Sequence, residues 1–83
     1  MTGRARGGGG PGAIRVRGNG TVRFRPGRKG LALRSLGGTF LVTQEGDRID
    51  HVLDGAGEFR TRERGLVVAW ALEDGAIAAR EAA

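Results

Sequence analysis

The chain has 83 residues, 28% of them charged, and a net charge of +5. That length suits one domain. With no cysteine and a single histidine, disulfides, thiolate metal sites and a multi-histidine centre within one chain are excluded.

Residues 1–12 hold six glycines with Arg4, Arg6 and Pro11. Ordering glycine is entropically costly, and nothing in this stretch offers apolar burial in return. The reading is a disordered, basic arm followed by a single β domain over residues 13–83. From Ala13 the pattern has period two. Ile14 and Val16 alternate with Arg15 and Arg17, and Val22 and Phe24 alternate with Arg23 and Arg25. Such alternation marks half-buried strands. Gly18-Asn19-Gly20 between them is a hairpin signal. A three-residue loop sets Val16 opposite Val22, Ile14 opposite Phe24 and Arg15 opposite Arg23, keeping the apolar residues on one face.

Turn signals at Pro26 to Gly30, Gly37-Gly38, Glu45 to Arg48, Asp54 to Gly57, Glu63 to Gly65 and Glu73 to Gly75 separate the remaining strands. These are Leu31 to Arg34, Thr39 to Gln44, Ile49 to Leu53, Glu58 to Arg62, Leu66 to Leu72 and Ala76 to Arg80. Leu66 to Leu72 is the most apolar and is expected to be the most buried. The alanine-rich stretch from Ala76 closes the sheet, with a helical turn as the alternative. The expected fold is all-β, a small antiparallel sandwich or barrel of about seven or eight short strands.

Charge is unevenly placed. Met1 to Arg34 carries +9 with no acid, and Ser35 to Ala83 carries −4. The halves can neutralise each other in the fold or between copies, or they can mark a surface for polyanions. Arg4, Arg6, Arg15, Arg17, Arg23, Arg25, Arg28 and Lys29 are the candidate polyanion-binding residues. Phe24, Phe40 and Phe59 are expected to point inward, which leaves no stacking platform, so such binding would be to phosphates with little base readout. Arginine outnumbers lysine 13 to 1, a bias that a GC-rich genome also produces.

Gly38 to Asp47, Asp50-His51-Val52-Leu53, Gly57-Glu58-Phe59, Gly65 to Val68 and Ala71 to Asp74 together resemble a family of short bacterial proteins of unknown function. That family looks like half of a cupin barrel, and the resemblance covers about residues 20–80. It implies the barrel shape. Metal-binding cupins carry a histidine cluster; His51 stands alone here, so the resemblance implies no metal chemistry. Trp70 departs from the family, where a polar residue is expected. Ala13 to Gly18 and Val67 to Gly75 also look like two segments of the tryptophan-activated RNA-binding attenuation proteins, in the opposite order. That likeness would give Arg15 and Arg17 the RNA-contacting positions of a permuted chain.

Catalysis needs a positioned nucleophile, base or metal. Ser35, the one serine, lacks a nucleophile-elbow context. Asp47, Asp50, Asp54 and Glu58 match no calcium-loop spacing and read as solvated turns. Gly18-x-Gly20 and Gly55-x-Gly57 lack the helix that a dinucleotide loop requires. His51 reads as a partly exposed strand residue. No cofactor, metal or catalytic site is expected.

Trp70 shares its period with Val68 and Leu72, which reads as core. Its indole N–H needs a partner when buried, so a subunit interface would suit it too. A domain this small buries only about 60% of its unfolded surface, and such scaffolds use disulfides, metals or oligomerisation as staples. By elimination homo-oligomerisation is the expected support, with a well-packed monomer as the alternative. No apolar run reaches the ~20 residues of a membrane span, and residues 1–12 lack the apolar stretch of a secretory signal. The expectation is a non-enzymatic cytoplasmic β module that acts through protein–protein contacts, including contacts with itself. RNA or DNA backbone binding through the arm and first hairpin is the alternative.

Overall fold

The structure, a computed structural model, describes residues 13–55 and 57–82. Eight strands follow in chain order: β1 (Ala13–Val16), β2 (Thr21–Phe24), β3 (Leu31–Gly37), β4 (Phe40–Gln44), β5 (His51–Leu53), β6 (Glu58–Arg60), β7 (Val67–Ala71) and β8 (Gly75–Glu81). Each predicted run overlaps one of them, β3 and β8 running past the expected ends, and the stretch from Ala76 is strand. They form two four-stranded antiparallel sheets with orders β1-β8-β3-β6 and β2-β7-β4-β5. Successive strands cross from one sheet to the other except β4 and β5, which pair directly; this is the order of a double-sheet jelly roll. The basic arm, with Arg4 and Arg6, lies outside the described residues.

Alternation fills the space between the sheets. Leu33, Phe40, Val42, Val67, Ala69, Ala71 and Ile77 are completely buried, with Leu53 and Phe59 beside them. Ile14, Val16, Val22, Phe24 and Ala79 pack against this cluster from its rim. The three phenylalanines therefore point inward, as their spacing predicts.

The first hairpin does not form. β1 pairs with β8 and β2 pairs with β7, so Arg15 lies opposite Ala76 and Arg23 opposite Val68. The chain still turns where expected, with the Gly20 N–H donating to the Arg17 carbonyl at 2.8 Å. Of the two central residues only Asn19 has a positive φ, 69°. Tight hairpins use primed turns, in which the first central residue is left-handed, whereas the unprimed kinds splay the strands. Splayed strands can enter different sheets, and these do. Val16 and Val22 then both reach the core from opposite sides, and Arg15 and Arg23 point away from it on opposite faces.

Trp70 is the second correction. β7 turns Val67, Ala69 and Ala71 inward, so Trp70 projects outward and is 41% exposed. It is not part of the core.

Candidate functional site

Two surfaces stand out. The first is the outer face of the β2-β7-β4-β5 sheet. Register places Thr21, Trp70, Leu41 and Val52 side by side across its four strands. The next row is Arg23, Val68 and Thr43, and Asp50, exposed and one residue before β5, precedes the outward Val52 at period two. Leu72 follows Trp70 at period two. Val52 is 67% exposed and Leu72 48%, while Leu41 and Val68 are half-buried. The result is an apolar patch with a cation at its β2 edge and a carboxylate at its β5 edge. Isolated apolar residues are ordinary on a surface, but a contiguous rimmed patch marks an interaction site.

The second is a groove of about 590 Å³ at the end of the sandwich where β1 leaves its sheet. Arg15, Val16 and Arg17 line one side, Gly37 and Gly38 another, and Asp74, Gly75 and Ala76 the third. Its walls are locked together. The Ser35 hydroxyl donates to the Gly38 carbonyl at 2.6 Å and accepts the Gly37 N–H at 3.2 Å. Gly38 has a φ of 81°, and a Cβ there would stand 2.7 Å from the Asp74 carbonyl oxygen. A side chain on Gly75 would overlap the Gly37 carbonyl. Asp74 Oδ1 accepts the Gly18 N–H at 2.8 Å, which ties the β1–β2 turn to the β7–β8 turn. Two arginines thus line the same groove as a carboxylate that already holds a backbone turn. Neither arginine makes an ion pair among the described residues.

The predicted basic stripe is therefore dispersed. Arg15 and Arg17 meet in the groove. Arg23 stands on the apolar face of the other sheet. Arg25, Arg28 and Lys29 are exposed at the opposite end, around the turn closed by Gly30 N–H and the Gly27 carbonyl. Sequence reading missed Arg60 and Arg80 and did not place Arg34 at a site. With Arg15 they stand on the outer face of the β1-β8-β3-β6 sheet, over Ala32, Ala76 and Ala78. Glu58 accepts from Arg60 Nε at 3.2 Å and from Arg80 at 3.0 Å, and so partly neutralises that face. Alternation alone would have shown each of these arginines as outward. Only the pairing of β3 with β6 and β8 brings them together.

Ser35 is buried in β3 and bonded to its own turn. His51 is on β5 in the other sheet. Its Nε2 lies 2.9 Å from Asp47 Oδ2, and its ring sits 4.8 Å from that of Phe59. A carboxylate only accepts, so the ring nitrogen is the donor. That bond first, and the Ile49 N–H second, hold the Asp47 carboxyl below its ordinary value of 3.8. Among the described residues no three His, Asp or Glu side chains are grouped to hold a metal ion, and no helix is long and apolar enough to cross a membrane. A scan of family models gives no match to the chain, and searches of curated proteins and of solved structures give none either.

Proposed function

We propose that this chain is a non-enzymatic cytoplasmic β module that works by protein–protein association, including association with its own copies, through the outer face of β2-β7-β4-β5. One observation carries the reading. β7 turns Val67, Ala69 and Ala71 inward and Val68 and Trp70 outward, so its largest side chain faces away from the core, and the exposed Leu72 follows just past its end. A strand whose outer face met only water would gain nothing from that distribution, whereas burial of apolar area at ~25 cal/mol/Å² gives a driving force for association. Tryptophan is among the residues most enriched at the energetic centres of interfaces. The small core supports the same reading, because a domain of this size gains stability from oligomerisation. Measuring native mass over a concentration series tests it. Mass should rise with concentration for the parent chain and stay monomeric for Trp70→Ser.

The jelly-roll strand order supports the cupin-like resemblance as a statement of shape. The lone His51, engaged by Asp47, supports no metal role within it.

A second reading, binding to the phosphate backbone of RNA or DNA, is favoured by the groove with Arg15 and Arg17 unpaired beside the Arg34, Arg60 and Arg80 face. It keeps Arg15 and Arg17 of the residues expected from sequence and sets Arg34, Arg60 and Arg80 beside them in place of Arg23, Arg25, Arg28 and Lys29. Its test is a gel-shift titration at two salt concentrations, in which an absence of binding at low salt removes it.

A further inference from the structure

We infer that the partner for the apolar face is a second copy of this chain, docked face to face about a two-fold axis that runs along the strands between β7 and β4. This inference rests on the association reading above and adds its geometry. In aligned packing, face-to-face sheets keep their strands within about 30° of one another, and the axis then lies either along the strands or across them. In an isologous contact, residue i meets residue j and j meets i.

With the axis along the strands, β2 of one copy covers β5 of the other, and rows stay level. Arg23 then stands over Asp50 of the second copy, and Asp50 over Arg23 of the second copy. Val68 covers Thr43 of the second copy, Trp70 covers Leu41, and Thr21 covers Val52. The two charges at opposite edges of the row are thereby matched twice, and the tryptophan meets a leucine at the centre. With the axis across the strands, β2 covers β2 and β5 covers β5, while the rows exchange. Arg23 then meets only Thr21 of the second copy, and Asp50 is set against Val52 of the second copy, where it loses water without gaining a partner. The register that places Trp70 opposite Leu41 and Leu41 opposite Val52 makes the first arrangement self-complementary and the second not. Charge matching of this kind selects register and excludes wrong pairings more than it adds affinity.

The test uses the whole chain with Arg23→Asp, Asp50→Arg and the double variant. Both positions are on the surface, and circular dichroism checks that each variant folds. Each single variant sets like charges against each other at both symmetric contacts and should weaken self-association by roughly tenfold or more. The double variant should regain most of the parent affinity. Mixing the two single variants should give a heterodimer near the parent affinity, because both contacts are then opposite in sign. Self-association that ignores both single substitutions, or that the double variant and the mixture do not restore, overturns the two-fold arrangement and leaves the association reading standing. A parent chain that is monomeric at every concentration, or that associates only with a different protein, overturns the second copy as partner. Binding to a different protein through the same face would still leave that reading intact.

Discussion

Trp70 on β7 lies directly opposite Leu41 on β4, on the side of the sheet that faces away from the core. The pair sits in the middle of a row that ends at Val52 on β5, with Trp70 41% exposed and Leu41 half-buried. The inner side of the same strands is closed by Phe40, Val42, Ala69 and Ala71. Two apolar layers therefore flank one sheet, and only the inner one has its partner within the chain.

The first consequence is a separation between folding and association. Trp70→Ser removes an outward side chain, so the folded monomer should change by only about 0.5 kcal/mol. Loss of a central interface tryptophan typically costs at least ~2 kcal/mol of binding. The expected outcome is a variant with an unchanged urea midpoint at low concentration and at least a roughly thirtyfold weaker self-association constant.

The inner layer should behave in the opposite way. Phe40 is fully buried between the sheets, and Phe40→Ala should cost about 3–5 kcal/mol. That is a large share of the ~5–15 kcal/mol typical of a small domain. Thermal melts should show a much lower midpoint or no cooperative transition. Ile49→Ala, at a residue that is 64% exposed, should leave the midpoint within the error of the melt.

The groove depends on glycine at one particular contact. At Gly75 a methyl group would overlap the Gly37 carbonyl, backbone against backbone. Gly75→Ala should therefore push β8 off the bulge of β3 and destabilise the chain by about 1–3 kcal/mol, in the range of overpacked sites. Gly27→Ala is the matched control, since nothing lies within 4 Å of a Cβ there. Urea denaturation of the two variants side by side reads the difference.

Acid should act through Asp47. Its carboxyl is depressed in the fold by the bond from His51 and then by the Ile49 N–H, so the unfolded chain takes up its proton first as pH falls. The contribution to stability is present above the unfolded value near 3.8 and is lost as pH falls below that value through the folded one. Asp47→Ala should melt below the parent at pH 5, and the gap should close between pH 4 and about pH 2. A gap that stays constant across that range would contradict the assignment.

If the second reading holds, the arginines should not be equivalent. Arg15→Ala with Arg17→Ala should weaken oligonucleotide binding and flatten its salt dependence by about 0.9 per lost phosphate contact on duplex DNA. Arg23→Ala, on the other face of the sandwich, should leave both unchanged. Equal losses at both places would point to diffuse charge rather than to the groove.

The strands were legible because period-two alternation and glycine-rich turns are local signals. Ile14, Val16, Val22 and Phe24 do face the core, and Arg15 and Arg23 do face away. Their partners were not legible, because alternation fixes which side a residue faces and says nothing about which strand lies beside it. Asn19 decided that, through a turn that splays the strands. Trp70 was misread for a different reason. Leu66 to Leu72 is apolar at nearly every position, so its two faces look alike in sequence. The choice falls to packing. Phe40, Leu33 and Ile77 fill the interior, which leaves the inward positions of β7 to Val67, Ala69 and Ala71. The Arg34, Arg60 and Arg80 face was hidden because its members come from three strands that are distant in the chain.

Sedimentation equilibrium of the parent chain beside Trp70→Ser, each over a concentration series, tests the central claim most directly. The account predicts a parent mass that rises with concentration toward that of a dimer, and a variant that stays at the monomer mass with the same circular dichroism spectrum. A parent that remains monomeric throughout, or a variant that associates as strongly as the parent, would contradict it.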